Sequence, residues 1–125
     1  MAGNPLPRLR FPRSARLKQQ RDFARARAQG RRLTSGCLIA NVLERAPGSS
    51  PRLGVVTSKK IGNAVVRSRV RRLLRETFRL HQLELAGPVD LVLVARPSIA
   101  GKNFADVERD FLRVARQARL IGESQ

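Results

Sequence analysis

The chain has 125 residues, with 26 Lys or Arg against 9 Asp or Glu and a formal net charge of +17. That length suits one domain with its own hydrophobic core, but self-repulsion works against folding, so the charge points to a polyanionic partner. One Cys excludes an intrachain disulfide, one His without a carboxylate cluster excludes a zinc site, and no stretch approaches the roughly 20 apolar residues of a membrane span.

Residues 1–13 carry Pro5, Pro7 and Pro12 among Arg8 and Arg10, an extended, flexible basic arm with little to bury. It lacks the roughly 7–15-residue apolar run of a secretory signal, and the expected location is the cytoplasm. Ser14 is the expected N-cap of a first helix running to Gln29, with Gly30 as its stop. On that helix Leu17, Ala24 and Ala28 share a face, while Phe23 points roughly 120° away, toward Arg27. A large ring off the apolar seam either packs on two sides or is offered to a ligand.

Residues 32–44 alternate loosely and predict one or two strands. Alternation turns Cys37, Ile39 and Asn41 to one side and Leu38, Ala40 and Val42 to the other. A turn cluster at 46–51 precedes a short strand over 53–58, which feeds directly into Lys59 and Lys60. Asn63 caps a second helix reaching His81. Gly87 and Pro88 break the chain before the strongest strand signal, Val89 to Ala95, which Pro97 ends. Phe104, Val107, Phe111, Val114 and Ala118 then follow helical spacing, giving a third helix closed near Gly122. A helix, two or three strands, a helix, a strand and a helix (with three strands, the order α-β-β-β-α-β-α) predict a single α+β domain over residues 14–121, one sheet with helices against it, and a short tail over 122–125.

The second helix is the most informative element. From Arg45 to Arg75 there are nine Lys or Arg residues and no Asp or Glu. Val66, Val70, Leu73, Leu74 and Thr77 gather in one stripe, whereas Arg67, Arg71, Arg72, Arg75 and Arg79 project from the other side. An ordinary solvated face mixes signs to form pairs one turn apart; here only Glu76 offers one. Arginine greatly outnumbers lysine, which suits planar, bidentate recognition of phosphate. By contrast, Cys37 reads as a small buried apolar residue, His81 as a helix-end residue favoured by the dipole, and Asp22 as local charge balance. Phosphodiester cleavage needs an activated nucleophile or metal-held water. No His pair, carboxylate cluster or nucleophile with a base stands out, so neither catalytic nor metal-ligating residues are expected in this chain.

The run SKKIGNAVVRSRVRRLLRE at residues 58–76 closely resembles the signature of the protein subunit of bacterial ribonuclease P. The likeness extends to Leu17, Asp22 and Phe23, to GVVTSKK at 54–60, and to the strand ending in Ala95 and Arg96. The family's central Arg-Asn-Arg is here Arg67-Ser68-Arg69. The resemblance implies three helices on a four-stranded sheet, with a left-handed βαβ crossover against the usual right-handed preference. It also implies an RNA subunit that performs the cleavage, with Mg2+ bound mainly by that RNA and none held tightly by the protein. Two surfaces follow from it. Lys59, Lys60, Asn63, Arg67, Ser68, Arg69, Arg71, Arg72 and Arg75 match a face for the ribozyme RNA. Phe23, Arg27, Ile39 and Asn41 match a cleft for the single-stranded 5′ leader of precursor tRNA. The implied partners are ribonuclease P RNA, one to one, and precursor tRNA, with no protein partner and no membrane. Charge and size alone fit a ribosomal or ribosome-assembly protein equally well. An amphipathic helix on an anionic membrane would need bulky apolar residues on an exposed face, and the apolar residues of this helix form its core seam.

Overall fold

The computed structural model describes residues 11–122; most of the arm expected over 1–13 and of the tail expected over 122–125 lies outside them. In chain order the elements are α1 (Gln20–Gln29), β1 (Arg31–Ser35), β2 (Leu38–Glu44), β3 (Arg52–Val56), α2 (Ala64–His81), β4 (Val89–Ala95) and α3 (Phe104–Gln117). This is the α-β-β-β-α-β-α order: of the two or three strands that periodicity allows before the second helix, three form, as the resemblance implies. The sheet runs β1-β2-β4-β3. β2 pairs antiparallel with both β1 and β4, and β3 pairs parallel with β4. The chain therefore crosses between β3 and β4 through α2, forming the βαβ unit whose left-handed sense the resemblance implies.

β4 is an interior strand, and its nearly unbroken apolar run reflects cover on both faces. Leu91 and Leu93 join Leu38, Ala40 and Val42 of β2 and Leu53 of β3 in the larger core. Val70, Leu74 and Phe78 of α2 and Val107, Phe111 and Val114 of α3 close over them. Each of the Val, Leu and Phe side chains contributes about 1.5–3 kcal/mol when fully buried. Val92 and Val94 face the other way, into a smaller cluster with Leu17, Phe23, Ala26, Leu43 and Val56. One helix, α1, covers that second face.

Three expectations are corrected. Helix α1 begins at Gln20, not Ser14, because residues 16–19 are used differently. Arg16 forms a parallel bridge with Leu53, and Leu17 N–H donates to Leu53 O at 2.9 Å. This extends the sheet edge and drops Leu17 into the smaller cluster, so tertiary pairing overrides a local capping signal. With Leu17 off the helix, the buried face of α1 is Phe23 and Ala26, while Ala24 and Ala28 are exposed. Gly30 is needed for close approach, since a Cβ there would lie 2.7 Å from Val42 O.

Helix α3 closes at Gln117 rather than near Gly122. Arg119 adopts φ 60°, and Leu120 N–H returns to Ala115 O at 2.8 Å, burying Leu120. At its start, Asn103 and Asp106 form a reciprocal capping box.

Cys37 does not share the Ile39 side. It sits in the β1–β2 turn and points into the larger core, where its N–H donates to Asp110 Oδ2 at 3.0 Å. Burial, followed by the neighbouring Asp110 carboxylate, pushes its thiol up to about 12.

Candidate nucleic-acid interface

Helix α2 starts where expected: Asn63 Oδ1 accepts the N–H of Val66 at 3.0 Å. Its buried stripe is Val70, Leu74, Thr77 and Phe78, with Val66 and Leu73 half-buried beside it. Phe78 extends the predicted seam by one position. Before the helix, Ile61 is buried and its N–H bonds Ser58 O at 3.1 Å. That apolar anchor turns Lys59 and Lys60 outward, and both are exposed.

The arginines of α2 do not act as one uniform ridge. Arg69 Nη2 donates to Lys102 O at 2.7 Å, fixing its side chain toward the loop before α3. Arg79 is paired with Glu76. Arg69, Arg72, Arg75 and Arg79 border an open hollow of about 590 Å³ whose apolar side is Phe11 and Leu73. Arg16 enters the same hollow, with its guanidinium carbon 4.8 Å from the Phe11 ring centre, and Phe11 in turn meets Phe78 edge-on at 5.5 Å. Arg75 is held below the ordinary arginine range, first by burial and then by Arg16 and Arg71. Like charges gathered this closely favour an anion among them.

On the other sheet face, the strand pairings set out two cross-sheet rows. Arg32, Asn41, Val92 and Gly54 form one; Thr34, Ile39, Val94 and Val56 form the next. Asn41, Val92 and Gly54 are buried, whereas Ile39, Val94 and Val56 remain partly open. Phe23 lies over the β3 end of these rows, against Gly54. An open hollow of about 430 Å³ is lined there by Gln20, Phe23, Arg27, Val55, Val56, Thr57 and Arg71.

Among the four residues expected at the cleft, Phe23 and Arg27 are thus brought together. Ile39 lies on the partly open row two strands away. Asn41, at 5% exposure, offers little to a strand arriving from solvent. Thr57, Val56 and Arg16 escaped the sequence reading. Thr57 lies within the GVVTSKK run, but only the fold turns it to the hollow, and Arg16 reaches its hollow because pairing with Leu53 keeps it out of the first helix.

The remaining polar clusters brace the fold. Asp90, 2% exposed, receives Arg52 Nε and Nη2 at 2.8 Å each, with Arg45 at 3.3 Å. Asp22 reaches Arg52 at 4.0 Å. His81 contacts Glu84 and Glu108 through its two ring nitrogens and stacks on Phe111. Among the described residues no three His, Cys, Asp or Glu gather where they could hold a metal ion, and no helix is long and apolar enough to cross a membrane.

Known proteins share this architecture. The solved ribonuclease P protein of Staphylococcus aureus superposes with a TM-score of 0.79 at 25% identity, covering 86% of this chain and 98% of that one. The Thermotoga maritima protein gives 0.74 at 25% identity, covering 82% and 96%. In sequence, the ribonuclease P protein component of Gluconacetobacter diazotrophicus is 40% identical over 112 residues, 88% of this chain and 96% of that relative. The Desulfovibrio desulfuricans protein is 41% identical over 106 residues, 84% and 78% of the two chains. The family model described as Ribonuclease P matches residues 11–119, nearly the whole described span, and the chain belongs to the ribonuclease P protein family.

Proposed function

We infer that this protein is the RNA-binding subunit of ribonuclease P, the endoribonuclease that removes the 5′ leader from precursor tRNA. The observation that carries the reading is the adjacency of two unlike surfaces. A cationic arc on α2, with Lys59 and Lys60 at its head, borders an apolar-floored cleft that holds Phe23.

The arc, with Lys59, Lys60, Asn63, Arg67, Arg69, Arg72 and Arg75, docks on the folded RNA subunit. Capping uses the carbonyl of Asn63, so its amide N–H groups are what it offers. The cleft takes the single-stranded leader, with Phe23 as a stacking platform worth about 1–3 kcal/mol per base and Arg27 as a cationic edge. Only the precursor has a leader, so cleft contacts raise affinity for precursor over mature tRNA.

The RNA subunit performs the cleavage and binds most of the Mg2+. The protein eases metal binding by neutralising crowded phosphates and assembles one to one with the RNA, in the cytoplasm. Because phosphate contacts weaken by roughly 0.7–0.9 log units each per tenfold rise in salt, its help is greatest at low salt and modest Mg2+. The test adds the protein to a bacterial ribonuclease P RNA and follows 5′ processing of precursor tRNA at low Mg2+. Stimulated cleavage with a preference for leader-bearing substrate is expected. Indifference to that RNA, or cleavage by the protein alone, overturns the reading.

A further inference from the structure

Arg71 leaves the outward face that periodicity assigns to it. Its Nη1 donates to Thr57 Oγ1 at 2.8 Å and its Nη2 to Ser68 Oγ at 3.0 Å. Thr57 follows β3 and Ser68 lies one turn earlier on α2, so the guanidinium is fixed from two elements at once. These bonds use two of the five N–H donors of an arginine, and the rest have no partner among the described residues. No described carboxylate lies within ion-pair distance of it. The same side chain lines the hollow with Phe23, Arg27, Val55 and Val56. A fork of donors, aimed by two hydroxyls and lacking a counter-charge, thus stands at the edge of an apolar floor.

We propose that Arg71 is the phosphate seat of the leader cleft, with Ser68 and Thr57 as the positioning residues that aim it. A guanidinium fork matches two phosphate oxygens at once. The Phe23 ring and the valine floor suit the face of an adjoining base. This deepens the leader-cleft reading above and rests on it: Arg71, Ser68 and Thr57 serve the substrate strand rather than the ribozyme face to which the resemblance assigned the first two. The family's Asn at position 68 can offer an acceptor through its carbonyl, so Ser68 retains the function in a shorter side chain.

The test uses the protein reconstituted with ribonuclease P RNA and two substrates, a precursor tRNA with a leader of several nucleotides and the same tRNA without one. Arg71→Ala weakens binding of the leader-bearing substrate about 10-fold and lowers its log–log salt slope by about 0.7. The loss on the leaderless tRNA is much the smaller of the two. Arg71→Lys, which keeps the charge and loses the fork, falls in between and serves if the alanine variant folds poorly. Ser68→Ala and Thr57→Val each cost about 3-fold on the leader-bearing substrate alone, whereas Ser68→Asn keeps wild-type binding. Equal losses on both substrates overturn the proposal, as does undiminished leader preference in Ser68→Ala and Thr57→Val. A wild-type complex that does not distinguish the two substrates sinks the leader-cleft reading itself, a separate outcome.

Discussion

Replacing Gly54 with Ala puts a methyl group where the Phe23 ring already lies. A Cβ at this position would stand 2.6 Å from Phe23 Cε1, 2.8 Å from Cζ and 3.2 Å from Leu17 Cδ1. Carbon atoms in packed interiors settle at about 3.5–4.0 Å, so the ring must withdraw by about an ångström. Its outer side opens on the cleft, and it can swing outward without parting the strands. Overpacking of this kind costs about 1–3 kcal/mol, and the smaller freedom of the unfolded chain offsets about 0.4–1 kcal/mol. The net loss is about 1–2 kcal/mol, which for a domain of this size lowers Tm by roughly 4–8 °C. Urea unfolding of Gly54→Ala, Phe23→Ala and the double variant measures it. Removing the ring first frees space for the methyl, so the double variant should be no less stable than Phe23→Ala, with a coupling of about 1 kcal/mol or more. Strictly additive losses would refute the contact and, with it, the account of why glycine stands in the middle of β3.

Neutralising both Arg72 and Arg75 to Ala should lower the log–log salt slope of binding to ribonuclease P RNA by about 1.4–1.8, with activity partly restored at high Mg2+; filter binding across a salt series measures the slope. Asp90→Ala should destabilise the fold by about 2–4 kcal/mol in denaturant titration, because Arg52 and Arg45 lose a buried partner. For His81, burial favours the neutral ring, but the contacts with Glu108 and Glu84 outweigh it and raise the folded value above 6.5. Stability from those contacts is therefore complete below the unfolded value and lost as pH rises through the folded one. The urea midpoint should drop as pH rises above about 6.5 in the native chain, and His81→Gln should flatten that change.

The parts of the fold legible in sequence are those governed by local rules. Helix α2 announces itself through the Asn63 cap, a continuous apolar stripe and no internal breaker; β4 does so through an apolar run too short for a helix and bounded by Pro88 and Pro97. Helical spacing singles out Phe23 by setting it apart from Leu17, Ala24 and Ala28, but that seam does not form: Leu17 precedes α1, Ala24 and Ala28 are exposed, and Phe23 itself lies on the buried face beside Ala26. What stayed hidden depended on partners distant in sequence. Ser14 is a competent cap in isolation, but Leu53 captures Arg16 and Leu17 first. Cys37 was placed by strand alternation, which fails one residue before the strand begins, and Asp110 fixes where it goes. Arg71 shares a helical face with Arg75, and a hydroxyl fourteen residues upstream, together with that of Ser68, turns it toward the cleft.

The distribution of negative charge explains why the cationic surface cannot be satisfied from within. Asp22 and Asp90 hold Arg52 and Arg45 at the start of β3 and the end of β2. Glu84 and Glu108 hold His81, Asp106 caps α3, and Asp110 is bonded to the Cys37 amide. Glu76, the acid nearest the arc, is held by Arg79. Each of these carboxylates has a structural partner, and among the described residues no acid, the exposed Glu44 at the end of β2 included, forms an ion pair with Lys59, Lys60, Arg67, Arg72 or Arg75. The counter-charge must then come from outside, and phosphates of a folded RNA supply it at matching density. Binding and relief of self-repulsion become linked quantities: an RNA that docks only on the folded arc stabilises the protein by an amount that grows with its concentration over its Kd. High salt, by screening both effects, weakens the binding and at the same time removes part of the repulsion that made it favourable.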